Sequence, residues 1–339
     1  GGFIALIASP MQAAQAVAEA VKRRDAENYK FRLESPDGAG GASAPRIVTL
    51  DITPEYDGAQ PLFEEEVVNT WTAGEQSHSA MARLTDGGYV TVWTSQGQDG
   101  WGYGIYGQRH DAQGVAVGNQ FQVNDYTPYD QVEPAVASLG NGGFVVVWTD
   151  RGGADGSSYG VFGQRYDADG LQVGDALMVN ASTGSNQYQP TVASLAGGGF
   201  VVAWYSTGQQ DGRYNDVFFQ RFDDNGQPQG AETRANASVG FEDSAQYEPA
   251  ITALADGTFV VTWRSAGQDG DGGYASVHGQ RFAADGSALG AEFQINTYTP
   301  NYQYEPSIAA LDDGGFVVAW TSYYQDGGST TGVFAQRYA

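Results

Sequence analysis

In the run "FVVVW", Phe144, Val146 and Trp148 point to one side of an extended chain and Val145 and Val147 to the other, so both faces are apolar. The run recurs as "YVTVW", "FVVAW", "FVVTW" and "FVVAW", with Trp93, Trp148, Trp204, Trp263 and Trp320 spaced by 55, 56, 59 and 57 residues. Each unit has the same order: a segment such as "QYEPSIAAL", a turn such as "DDGG", the apolar run, a loop, "GVFGQRYD", a turn such as "ADGLQVG", and "FQVN". Four short β-rich runs bounded by Gly, Asp and Asn predict an antiparallel meander. A strand buried on both faces needs a sheet on each side, and meanders repeated radially supply that as a β-propeller.

The fifth unit carries only three of its runs, ending in "GVFAQRYA". The match to the missing run lies at the other end, where "EYDGAQPLFEEEVVN" (55–69) resembles "AADGSALGAEFQIN" (283–296), including the Asp-Gly turn and the final Asn. The expected fold is therefore all-β: a five-bladed β-propeller of four-stranded antiparallel blades over 46–339, its ring closed by an N-terminal strand at about 62–69. Blade repeats fall near 70–124, 125–180, 181–236, 237–296, and 297–339 plus 56–69. Residues 1–45 read as a short, partly helical extension, an anchor or partner-binding segment. An open array with capping repeats is the alternative, although neither end resembles a polar cap.

Composition narrows the function. The 339 residues are 41% hydrophobic and 13% aromatic with a formal net charge of −24, and no Lys follows Lys30. Such a body repels phosphate backbones, so nucleic acid is excluded as a partner. No run is long enough to span a membrane, and the absence of Cys excludes disulfides and thiol chemistry.

Strand direction puts the long loops between second and third strands on the same face as the blade-to-blade crossings. Aromatic residues gather there, and Trp71, Trp101, Tyr103, Tyr126 and Tyr159, with Tyr214, Tyr274, Tyr298 and Tyr323, are the expected ligand contacts. The same loops repeat an Asp-Gly, and Asp99, Asp155, Asp211, Asp269, Asp271 and Asp326 are the candidate metal ligands, with Ca2+ as the ion. No cofactor motif is present. Shorter turns such as "DADG" read as plain turn chemistry. The repeated Gln-Arg pairs, from Gln108-Arg109 to Gln336-Arg337, read as structural forks, with Glu133, Glu248 and Glu305 as their expected partners. His78, His110 and His278 occupy three different repeat positions, no catalytic motif occurs, and five near-equivalent units argue against one unique site.

The segments "GGFVVVWTDRGGADGSSYGVFGQRYDADG" and "GGFVVAWTSYYQDGGSTTGVFAQRYA" resemble repeats of large secreted bacterial proteins of the hemolysin-type calcium-binding and adhesin-like classes. The resemblance covers about 56–339 and implies an extracellular or cell-surface location and an adhesive role. The nonapeptide calcium repeats of that broader class are absent. The expectation is a non-enzymatic binding module presenting multivalent glycan sites to a glycan or cell-surface polymer. Two alternatives remain: a structural subunit of a surface assembly held to a protein partner through residues 1–45, and a polysaccharide-degrading enzyme.

Overall fold

The computed structural model describes residues 66–156, 159–209, 214–237, 245–268, 274–327 and 330–339. The chain divides into two compact units, Gly1–Glu66 and Val67–Ala339. Nineteen strands and no helix occur among the described residues, and they form five antiparallel meanders. The first contains β1 (Gln76–Arg83), β2 (Tyr89–Gln96), β3 (Tyr103–His110) and β4 (Ala116–Gln122). The second contains β5 (Gln131–Ser138), β6 (Phe144–Asp150), β7 (Gly160–Tyr166) and β8 (Gln172–Met178). The third contains β9 (Asn186–Ser194), β10 (Phe200–Thr207), β11 (Asn215–Phe222) and the short β12 (Thr233–Arg234). The fourth contains β13 (Gln246–Ala253), β14 (Phe259–Ala266), β15 (Ala275–Phe282) and β16 (Ala288–Gln294). The fifth has three strands, β17 (Gln303–Ala310), β18 (Phe316–Tyr323) and β19 (Thr331–Tyr338).

The two-sided apolar strands do what their pattern requires. Phe144, Val146 and Trp148 pack against the first sheet, while Val145 and Val147 pack against the third. Corresponding clusters join the third sheet to the fourth and the fourth to the fifth. The first strands β1, β5, β9, β13 and β17 lie side by side in that order, so they are the inner strands of a propeller-like succession.

Two polar devices recur between these apolar layers. Asn124, Asn180, Asn236 and Asn296, all buried, each accept the backbone N–H of a third-strand residue at Oδ1: Ile105, Val161, Val217 and Val277, at 2.7 to 2.9 Å. The Gln-Arg arginines reach forward to the next sheet's turn: Arg109 donates to the Ala168 carbonyl, Arg165 to that of Asp224 and Arg221 to that of Ala284. The turn glycine must be bare for this contact. A Cβ on Gly170 would lie 2.7 Å from Arg109, and ones on Gly226 and Gly286 would lie 2.9 Å from Arg165 and Arg221. The forks are structural, as expected, but their partners are turn carbonyls and not Glu133, Glu248 or Glu305.

The series stops at its two ends. Ile105, Val161, Val217 and Val277 are fully buried, whereas Val333 at the same position of the fifth sheet is 80% exposed. Met81, whose counterpart Ile251 is buried, is 65% exposed on the outer side of the first sheet. Closure by a strand at 62–69 is not shown: 62–65 lie outside the described residues and Glu66–Asn69 form no strand. The helical extension expected over 1–45 also lies outside the described residues.

Because Trp204 is fully buried between two sheets, Trp204→Ala is expected to cost about 3–5 kcal/mol. Equilibrium urea unfolding followed by circular dichroism measures this.

Candidate functional site

Every inner strand carries a β-bulge near its start. The register of β1, β5, β13 and β17 against their partners slips between Ser77 and Ala80, Val132 and Ala135, Tyr247 and Ala250, and Tyr304 and Ser307. In four inner strands the bulge contains a proline, Pro134, Pro190, Pro249 or Pro306, whose missing N–H suits a break in the ladder. The residue ahead of it is driven into the left-handed region: φ is 58° at Glu133, 50° at Gln189, 53° at Glu248 and 54° at Glu305, and 52° at His78 in the first sheet. Non-glycine residues held there store about 1–3 kcal/mol each and concentrate at functional sites. A bulge also turns its side chain out of the strand's alternation.

These five residues occupy equivalent positions, one tier, and two pairs of sheets are linked through it: the second to the third and the fourth to the fifth. Glu133 Oε2 accepts the Gln189 N–H at 3.0 Å and the Thr149 hydroxyl at 2.9 Å. Glu248 Oε2 accepts the Glu305 N–H at 2.8 Å. Arg151 stands 3.5 Å from Glu133, and Arg264 donates to Glu248 Oε1 at 3.2 Å. These arginines are the actual guanidinium partners of the two carboxylates.

A band of tyrosines lies against the tier. Tyr188 stacks on Tyr205 at 5.0 Å, Tyr205 meets Tyr247 edge-on at 5.5 Å, and Tyr159 meets Tyr188 edge-on at 5.3 Å. Arg151 caps Tyr159 and Arg264 caps Tyr247 as cation–π pairs. Burial, with the charges of Glu133 and Glu248 on either side, pushes the Tyr205 phenol well above its ordinary value. It therefore remains a neutral hydroxyl at any working pH. Tyr304 and Tyr323, 5.6 Å apart, continue the band beside Glu305. The tier thus gathers carboxylates, guanidinium groups and phenol rings along the inner strands, group types that can hydrogen-bond and stack on sugars.

Comparison with known proteins bears on the fold. No protein-family model and no curated protein matches the sequence. Among solved structures, an alpha-L-arabinofuranosidase from Fusarium graminearum, determined as a mutant with an iminosugar inhibitor, superposes with a TM-score of 0.56 at 14% identity, covering 80% of this chain and 79% of that one. The fold is shared with a carbohydrate-active enzyme. A second structure of the Fusarium graminearum arabinofuranosidase gives 0.52 at 13% identity over 80% of each chain. A Dyadobacter fermentans protein described as of unknown function gives 0.55 at 12% identity, over 77% of this chain and 78% of that one. The likeness to an enzyme overturns the expectation of a non-enzymatic adhesion module. The near-equivalence of the five units misled that reading, because it breaks at this tier: His78, Glu133, Gln189, Glu248 and Glu305 differ where the inner strands meet.

Of the expected ligand contacts, Tyr159 and Tyr323 belong to the tyrosine band, and Tyr274 lies edge-on to Tyr302 at 5.2 Å. Trp71, Trp101 and Tyr126 are exposed, and Tyr126 donates to the Gly152 carbonyl. The Tyr103 hydroxyl donates to Glu75, and Tyr214 and Tyr298 contribute backbone carbonyls to local bonds. Among the described residues no three His, Cys, Asp or Glu converge as metal ligands. Asp99 accepts the Trp101 N–H, and Asp155 accepts from Asn180 Nδ2. A Cβ on Gly104 would come 2.8 Å from Asp99 and one on Gly160 2.9 Å from Asp155, so the repeated Asp-Gly folds its loop back over the third strand. Asp326 sits in the same way over Gly332, at 3.1 Å. Asp211, Asp269 and Asp271 lie outside the described residues.

One further cluster has catalytic geometry without access. Ser276 Oγ is 3.0 Å from His278 Nε2, and His278 Nδ1 is 3.5 Å from Glu292 Oε1, but Ser276 is fully buried. Burial alone would raise the Glu292 carboxyl. Hydrogen bonds from His278, Gln268 and the Ala237 N–H overcome that and hold it at about 2 instead of its ordinary 4.5. The stability it contributes is present above 4.5 and lost as pH falls toward 2. Glu292→Gln should flatten stability against pH in that window in thermal melts; an unchanged slope would exclude this role.

Proposed function

We propose that this chain hydrolyses glycosidic bonds of a polysaccharide at the mouth formed by its inner strands. The observation that carries the reading is the tier itself: three carboxylates at strained backbone positions on the inner strands, beside a band of phenol rings. The fold shared with an arabinofuranosidase supports it. Glycoside hydrolysis requires two carboxyl groups, one giving a proton to the leaving glycosidic oxygen as the C–O bond breaks, the other acting on water or on the anomeric carbon.

Glu248 and Glu305, on adjacent blades, are the pair assigned here. Glu248 is fixed by Arg264 and by the Glu305 N–H, which suits the carboxylate that faces the developing positive charge. Glu305 is the other carboxyl of the pair and is assigned the proton donor, a role in which a bound substrate would have to cover it and keep it protonated. Tyr188, Tyr205 and Tyr247 supply stacking faces for sugar rings, and the exposed Trp101 and Tyr126 hold the polymer beyond the cleaved bond. The reading includes a closed five-bladed ring, fastened by the strand ahead of Asn69, and an extracellular setting in keeping with the resemblance to secreted repeat proteins.

Reducing-end release from arabinan, arabino-oligosaccharides and a panel of other plant and bacterial polysaccharides tests this. Glu248→Gln and Glu305→Gln should each lower kcat by roughly 10²–10⁴-fold with the fold retained by circular dichroism. Activity undiminished in both variants, or no turnover of any polymer by the natural chain, would refute the reading.

A further inference from the structure

Five tyrosines of the fourth and fifth sheets are joined by ring contacts beside Glu305. Tyr274, just ahead of β15, meets Tyr302 edge-on at 5.2 Å, and Tyr302 meets Tyr323, at the end of β18, edge-on at 6.2 Å. Tyr323 in turn lies 5.6 Å from Tyr304 and 5.8 Å from Tyr324. Tyr304 immediately precedes Glu305 in β17, so the rings continue from the carboxyl assigned to the chemistry. Tyr274, Tyr302 and Tyr324 are 37%, 42% and 49% exposed, and a contiguous exposed aromatic surface of this kind marks a binding site.

The backbone under Tyr324 carries a ring where the turn does not call for one. Four residues past the repeated Trp, the first, third and fourth sheets have Gly97, Gly208 and Gly267, with φ of 70°, 70° and 77°. Their N–H groups donate to the carbonyls of Gly102, Tyr214 and Tyr274, closing the loop between second and third strands. Tyr324 makes the same bond, to the Thr330 carbonyl at 2.9 Å, and takes the same left-handed conformation at φ 59°. Glycine enters that region without strain and a bulky side chain does not, so local geometry gives no reason for a tyrosine there. Its neighbours are braced as well. The Tyr323 N–H donates to the Tyr302 carbonyl at 3.0 Å, and Gln303 Nε2 donates to the carbonyls of Pro300 and Asn301. Rings carried on a backbone already fixed lose little freedom when a ligand arrives.

Phenol rings set edge-on present faces for the apolar side of a sugar and hydroxyls for its polar rim. Charge selects among sugars. Among the described residues, the guanidinium caps fall on Tyr159 and Tyr247 and none falls on these five rings. Glu305 and the net charge of −24 repel a sugar acid or sulfate. We propose that Tyr274, Tyr302, Tyr304, Tyr323 and Tyr324 form a binding platform for uncharged sugar residues of the polymer, next to Glu305 and additional to the Tyr188–Tyr205–Tyr247 band. The inference rests on the hydrolase reading for the class of polymer, but it is measured by binding.

Affinity electrophoresis of the full chain in native gels cast with soluble polymers tests it, with arabinan, galactan and dextran as uncharged probes and polygalacturonate as the charged one. At least one uncharged polymer should retard the natural chain. Tyr324→Gly matches the sister turns, so it should leave the thermal unfolding midpoint unchanged while the apparent Kd for that polymer rises roughly tenfold, and Tyr302→Ala should weaken retardation to a similar extent. Retardation undiminished in both variants, retardation by polygalacturonate alone, or none by any polymer would overturn the proposal. So would a dimer that Tyr324→Gly converts to monomer in size-exclusion chromatography, which would assign the rings to a second copy. Turnover separates this inference from the hydrolase reading. An active natural chain whose retardation and KM are both unchanged by Tyr324→Gly would reject the platform and keep the hydrolase. Retardation lost in Tyr324→Gly, with no polymer turned over by the natural chain, would keep the platform and reject the hydrolase.

Discussion

A sheet whose second strand is apolar on both faces is stable only between two other sheets, and the rest of this molecule follows from that requirement. It stacks the five meanders in chain order and brings β1, β5, β9, β13 and β17 side by side, and Met81 of the first sheet and Val333 of the last remain exposed. Because the apolar contacts set only the spacing, directional bonds fix the angle and register. The asparagine at the end of each fourth strand ties it to the third strand. Arginine-to-turn bonds tie sheet to sheet, and the carboxylate-to-amide links do so at the inner edge.

The tier of bulged residues is a by-product of the same geometry. Inner strands lie side by side, so a residue displaced there by a bulge can meet its counterpart on the next sheet, as Glu133 meets Gln189 and Glu248 meets Glu305. Repetition supplies five equivalent places, and substitution among them supplies asymmetry. Glutamate stands at three of them, glutamine at one and histidine at one.

Much of the fold was legible in the sequence, and the residues show why. The apolar alternation around Trp148, the Asp-Gly turns and the final Asn of each unit are local signals with a single structural solution, and the four-stranded antiparallel sheets match them. The site was harder to read. "QYEPA" and "QVEPA" announce the start of a strand, but nothing in them reveals a bulge at positive φ, because Glu has no intrinsic preference for it. Glu133 and Glu248 were recognised as arginine partners, yet the arginines came from the second strand, Arg151 and Arg264, and not from the repeated Gln-Arg pair. Arg109 and its equivalents reach turn carbonyls, and a carbonyl leaves no trace in side-chain identity. The aromatic loops drew attention to Trp101 and Tyr126, while Tyr188, Tyr205 and Tyr247 sit inside strands, where no loop signal points to them.

The central claim is that the inner-strand tier is where a sugar is bound and cleaved. The most direct measurement is a crystal structure of the chain soaked with an arabino-oligosaccharide or an iminosugar. The account predicts a sugar ring stacked on the Tyr188–Tyr205–Tyr247 band with its hydroxyls or ring nitrogen within hydrogen-bond distance of Glu248 and Glu305. A ligand bound only to the rim loops, with the tier unoccupied, would contradict it.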